Sequence, residues 1–296
     1  MICVWYAAMG VGWLRLNKAQ NWMADYVDDL GFELETALAW FPHVVEEPYV
    51  LVKVDAEHVA AWSGALGVAV RRCYLSDELI LVRAGDLGAE PKDIIAAALP
   101  DPGSTMSGDF GEILVFFYQA SRELPQAVFG PRKWRLKQDR TKPAPHSDVV
   151  QFVLPHWPTP SGDDALLCSE VKTKATNGTF KPIKEAIKDS EKDRISRLAK
   201  TLVWLREKAL LQDIDGVDIA MLERFIRATD HPAALRRFRA IAVISSNIID
   251  QQLGDAPTEI PDDYTVVVIS VPELKATYES VFEAARQAVP VVAEET

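Results

Sequence analysis

A carboxylate and an ammonium two residues apart inside an apolar run constrain this chain more than any other feature. The run is Ala165 to Thr173, ALLCSEVKT. Its length and its aliphatic, β-branched content predict a buried or half-buried strand. Residues two apart on a strand share a face, so Glu170 and Lys172 stand side by side while Val171 faces the opposite layer. An unpaired charge in such a place costs several kcal/mol, so the pair needs a partner or a metal ion. Upstream, SDVVQFVL carries Asp148 at the head of a second apolar run. If the two strands are hairpin neighbours, Asp148 becomes a second carboxylate beside Glu170. Two hard oxygen ligands suit Mg²⁺, which takes carboxylates together with water and phosphate oxygens. Metal-bound water ionises near neutral pH, and a neighbouring lysine orients the attacking water or offsets phosphate charge. A strand-end ion pair on a wetted face is the plain alternative.

A third element lies earlier. Gly108 to Leu124 is apolar on nearly every side from Ile113 to Tyr118, the pattern of a helix buried in the middle of a protein. Glu112 falls in the expected first turn, where the helix dipole favours a carboxylate as a capping group. Between Glu112 and Asp148, GPRKWRLKQDRTKPAPHSD sets Arg132, Lys133, Arg135, Lys137, Arg140 and Lys142 against the single acid Asp139. With Trp134 among them, these bases predict either a phosphate-contacting strand and loop or a solvated charged face. Lys174 and Lys181, beyond the Glu170 strand, are further candidate DNA contacts.

Taken in order, GDFGE, PRKWRLKQDR, HSD and SEVKTK, followed by a long basic helix, resemble the HamA family, the nuclease subunits of the two-gene Hachiman anti-phage defence system. The resemblance runs from Ser104 to the C-terminus. It implies an α/β fold with a restriction-endonuclease-like core, a mixed central sheet flanked by helices. It also implies that Glu112, Asp148, Glu170 and Lys172 are catalytic. Asp148 and Glu170, with Glu112 directly or through water and the carbonyl of Val171, would then hold Mg²⁺ or Mn²⁺. The implied partners are DNA and a helicase subunit, HamB, which engages DNA and releases the nuclease to cut broadly. Where a proline often precedes the motif aspartate this chain has Ser147, although the carboxylate is what binds metal. A nuclease-fold subunit that binds DNA or the helicase without cutting is the competing reading; a sequence-specific restriction enzyme is a third.

The 296 residues allow one large or two modest domains. The formal charge of −11 is not that of a free-standing DNA-binding module. Residues 1–103 hold 15 acids and 7 Lys or Arg, a net of −8, so most of the negative charge lies away from the candidate site. We expect residues 1–103 to form a smaller α/β domain, suited to binding a partner, and 104–296 the nuclease domain, joined through the Pro- and Gly-containing segment 100–108. Gln20 to Trp40 reads as helical or irregular, Tyr49 to Val54 as a strand, Ala56 to Leu66 as a helix and Glu78 to Arg83 as a strand. Lys181 to Leu211 reads as one long helix with Ile183, Ile187, Ile195, Leu198, Leu202 and Leu205 on its buried face. Asp215 and Asp218 are candidate N-caps for a helix over 217–228. Phe238 to Ser246 and Tyr264 to Val271 read as buried strands, and a last helix follows Pro272.

Cys3, Cys73 and Cys168 lack metal-type spacing and suit a reducing compartment. The opening run, ICVWYAAMGVGWL, is shorter than the ~20 apolar residues of a membrane span and has its bases after it, so a buried element, no membrane and a cytoplasmic protein are expected. Gly10-Val11-Gly12 lacks the rest of a dinucleotide fingerprint, and no phosphate-binding GxxxxGK[ST] loop occurs. The five histidines are scattered, which argues against zinc; His146 reads as a turn residue or a phosphate contact.

Overall fold

In the computed structural model, residues 30–257, 260 and 264–290 are described; the opening run, Cys3 and the last six residues fall outside them. The apolar runs become strands of one mixed sheet. In chain order these are β1 (His43–Val45), β2 (Val50–Lys53), β3 (Val128–Phe129), β4 (Val149–Val153), β5 (Ala165–Lys174), β6 (Leu235–Ser245) and β7 (Thr265–Val271). Their order across the sheet is β1-β2-β7-β6-β5-β4-β3. Strands β2, β7, β6 and β5 run parallel, whereas β4 is antiparallel to β5 and to β3, and β1 is antiparallel to β2.

Both faces are covered, as a sheet with long parallel strands requires. On one face, Val149, Val171, Ile241, Val243, Val267 and Ile269 pack under α1 (Leu34–Trp40), α2 (Ala56–Tyr74), α5 (Ser104–Arg122) and α10 (Leu274–Gln287). On the other, the alternate residues Val150, Phe152, Leu166 and Cys168 meet α7 (Leu198–Leu211) and α8 (Ile219–Ile226). Ala240, Ala242, Ile244 and Val268 meet α6 (Pro182–Lys192) and α9 (Ile249–Gly254) on that same side. This is the α/β fold expected, a mixed central sheet flanked by helices. No helix of the described residues is long and apolar enough to cross a membrane.

Several local expectations change. Residues 78–83 are helical, within α3 (Asp77–Leu87), because Ser76 caps its start by accepting from Leu79 N–H at 3.2 Å and Gly88 ends it in the left-handed conformation. A further short helix, α4 (Pro91–Ala98), follows it. α2 continues past Leu66 to Tyr74. α5 begins at Ser104, inside the segment expected as a linker, so Glu112 lies in its third turn and the first-turn capping role is lost. The basic segment 132–142 holds no strand; Lys133–Leu136 is a 3₁₀ turn. The long helix is interrupted between α6 and α7 by a π-helical turn, Asp193–Arg197. The wider turn rotates Asp193 inward and leaves Ile195 76% exposed, against its expected place on the buried face. Of the two candidate caps, Asp218 accepts from Met221 N–H at 2.8 Å at the start of α8. β1 and β2, from the segment assigned to a smaller N-terminal unit, belong to the same sheet as β5–β7, and α2 packs along α10.

Candidate active site

Strand β4 and strand β5 are hairpin neighbours, paired from Val153↔Ala165 to Val149↔Ser169. The next step in that register sets Asp148 opposite Glu170. The Asp148 Oδ2 accepts a hydrogen bond from the backbone N–H of Val171 at 2.8 Å, which fixes the carboxylate over β5. Glu170 is 1% exposed. One of its oxygens accepts from Lys172 Nζ and the other from Arg197 Nη2. Lys172 Nζ also lies 3.0 Å from Asp189 Oδ2. Asp148, Glu170 and Lys172 therefore meet as the sequence predicts.

Glu112 comes to the neighbourhood from the other face of the sheet. Its Oε2 accepts from Trp134 Nε1 at 3.2 Å and pairs with Lys133 Nζ at 3.2 Å. Lys133 in turn donates to the Ser147 carbonyl at 2.8 Å, so this buried ammonium bridges Glu112 to the residue before Asp148. Glu112 feels the charge of Asp148, yet it makes no hydrogen bond with Asp148 or Glu170.

Burial pushes the Glu170 carboxyl up to about 8; the Asp148 charge adds to the rise, and Lys172 and Arg197 oppose it. Burial likewise pushes Glu112 up to about 8, against the pull of Lys133 and with the help of Asp148 and Asp109. Burial draws the Lys172 ammonium down, but Glu170, Asp148 and Asp189 outweigh it and the group stays above its ordinary value. Glu170 thus sits between two cations and is still short of positive charge.

The structure brings in residues that were not assigned from the sequence. Arg197 holds Asp193 through Nε at 2.7 Å and Nη2 at 2.9 Å, and donates to the Asp189 carbonyl at 2.8 Å. Asp193 accepts from Ser147 Oγ at 2.6 Å, which ties the π turn to the head of β4. The four-residue spacing of Asp189, Asp193 and Arg197 was the available signal, since it places all three on one stripe of a helix. His146 has φ +72° and its ring lies 5.1 Å from that of Trp204.

The first four bases of the segment, all expected as DNA contacts, are turned largely away from solvent, while Arg140 and Lys142 keep exposed heads paired with Asp101 and Asp139. Arg132 and Lys133 are 2% and 4% exposed. Arg132 donates to the Gly130 carbonyl at 2.7 Å and lies over the Phe116 ring; Lys133 serves Glu112. Lys137 pairs with buried Asp109 at 2.7 Å, and Arg135 with Asp215 and the Arg72 carbonyl. Lys174 is buried as well, donating to the Gly178 and Phe180 carbonyls at 2.9 Å and 2.5 Å. Lys181 alone of the six expected contacts has an exposed head, loosely paired with Asp255 at 3.3 Å. Buried bases of this kind hold the fold around α5, because a carboxylate at such depth needs a partner.

No group of three or more His, Cys, Asp or Glu among the described residues is placed to hold a metal ion. The pair Asp148 and Glu170 nonetheless fits magnesium, which is held by one or two carboxylates with water and substrate oxygens completing its shell. Two neighbouring carboxylates, one of them buried with its proton affinity raised, are what a divalent cation would neutralise. The sequence matches the family model described as HamA over residues 35–285. No curated protein matches it.

Proposed function

The chain belongs to the HamA family of the Hachiman anti-phage defence system, and on that premise we propose that it is a metal-dependent deoxyribonuclease. The observation that carries the reading is the Asp148–Glu170–Lys172 cluster, assembled by the β4–β5 pairing around the buried Glu170 carboxylate. Asp148 and Glu170 would hold Mg²⁺ or Mn²⁺, with the Val171 carbonyl and, through water, Glu112 as further ligands. The ion would supply a bound hydroxide near neutral pH and offset charge on phosphorus. Lys172, held by Glu170 and Asp189, positions the attacking water and faces the phosphate. Arg197 holds the second oxygen of the Glu170 carboxylate. A helicase subunit, HamB, is the proposed partner that delivers DNA and releases the nuclease.

The test is nicking of plasmid DNA with Mg²⁺ or Mn²⁺ by the chain alone and with its helicase partner. We expect Glu170→Ala and Lys172→Ala each to lower the rate by at least about a hundredfold. Undiminished nicking by either variant would refute the assignment.

One observation favours a second reading, a nuclease-fold subunit that binds without cutting: both oxygens of Glu170 are already taken by cations. Titration calorimetry with Mn²⁺ separates the two. Heat of binding that disappears in Asp148→Ala supports the enzyme, and no heat from the unaltered chain supports the inactive subunit.

A further inference from the structure

Beyond the end of β5 a cleft of about 650 Å³ opens next to Lys172. Its walls are the start of α5, the segment 171–180, and Lys275 and Tyr278 of α10. Three lysines, Lys172, Lys174 and Lys275, line it, and no Asp or Glu among the described residues does so. That is unexpected in a chain of formal charge −11. The cleft of about 710 Å³ beside α3, by contrast, carries both signs, with Asp139, Asp213 and Asp215 beside Arg83, Arg135, Lys137 and Arg140 in its wall. A wall that carries bases and no acid is suited to an anionic ligand.

The three lysines have different roles. Lys172 joins the cleft to Glu170. Lys174 shapes the wall, drawing in the Gly178 and Phe180 carbonyls and leaving the Phe180 side chain at the surface, the residue 44% exposed. Lys275 keeps its head in solvent, with Glu279 no nearer than 3.9 Å. Gly103 starts α5 without a side-chain cap, so the first-turn N–H groups on this wall also favour an anion. Exposed cation, polar backbone and exposed aromatic ring are the elements on which single strands are held by phosphate contact and base stacking. The volume lies within the range of small-ligand pockets, about 300–1,000 Å³, which admits a nucleotide or two of one strand and no duplex.

Resting on the nuclease reading above, we infer that this cleft binds a single nucleic-acid strand. Its phosphates lie along Lys275 and the start of α5, a base rests on Phe180, and the strand is led to Lys172. The test measures fluorescence anisotropy of a short labelled oligothymidylate with the full chain in EDTA, where binding is read without cleavage. Lys275→Glu and Phe180→Ala, both at exposed positions, should each weaken binding about tenfold. Lys275→Glu should also flatten the dependence on salt, and Phe180→Ala should not. A blunt hairpin duplex should compete at least about tenfold less well than the single strand. Unchanged affinity in both variants, no binding by the unaltered chain, or equal competition by duplex would each overturn the inference. Cleft-dependent binding without any nicking would remove the nuclease reading and leave the cleft standing.

Discussion

Glu170 and Glu112 each carry a carboxyl raised to about 8 by burial and by neighbouring acids. An unfolded glutamate ionises near ~4.3, so between about pH 4.3 and 8 the folded chain holds protons that the unfolded chain releases. Stability then falls as pH rises through that window. Metal ligation needs the ionised carboxylates and reverses the loss. We expect the melting temperature without metal to be lower at about pH 8 than at about pH 6, and its rise with Mn²⁺ to be larger at the higher pH. Thermal melts followed by circular dichroism check this; equal rises at both pH values would contradict it. The Lys133–Glu112 pair makes a second residue-scale prediction. Both side chains are buried, at 5% and 7% exposure. Above about pH 8, where Glu112 is ionised, Lys133→Ala leaves it buried without its counter-ion and should cost about 3–5 kcal/mol in denaturant unfolding. Adding Glu112→Gln should restore part of that loss. Glu170 and Lys172 were legible because a charge pair inside an apolar strand needs a reason. Lys133 was not: a base beside Trp134 in a run of bases has the pattern of a wetted surface, and only the packing of α5 shows it enclosed.

α5 lies on β5 closely enough that a Cβ at Gly111 would come within 2.0 Å of Thr173 Oγ1 and 3.5 Å of a Val171 methyl. The missing side chain lets the helix approach the strand that carries Glu170 and Lys172. Gly111→Ala should therefore cost about 1–3 kcal/mol by overpacking and lower nicking through displacement of β5, read from chemical denaturation and the plasmid assay together. An unshifted denaturation midpoint would show that the contact is slack. Elements with a strong period were readable from the sequence: β4 and β5 as strands, and α5 as a helix buried on nearly all sides. α3 was misread because Leu79, Ile80, Leu81 and Val82 look strand-like in a short window, while the deciding signals, Ser76 and Gly88, stand outside it. The π turn has no comparable mark in composition. It is held by the tertiary contact of Asp193 with Ser147 and by the Asp193–Arg197 pair that closes the turn.

At the scale of the molecule, β2 forms the outer neighbour of β7. α2 packs along α10 so tightly that a Cβ on Gly67 would meet Ala284 Cβ at 3.0 Å. A fragment of residues 104–296 would bare one edge of β7 and the inner face of α10, and an uncovered edge favours association. We expect that fragment to aggregate or to melt without a cooperative transition; a monodisperse sample with a sharp melt would show that the N-terminal strands are dispensable. The sequence by itself determined the α/β class, the strand bearing Glu170 and Lys172, and the family, because apolar period and local motif act over a few neighbouring residues. Only the tertiary structure decided which charges are buried, that Arg197 reaches Glu170, and that Glu112 is held on the opposite face by Lys133. Those outcomes depend on pairing between residues 20 to 30 apart in the chain, where burial in a low dielectric and not sequence pattern sets the energy of a charge.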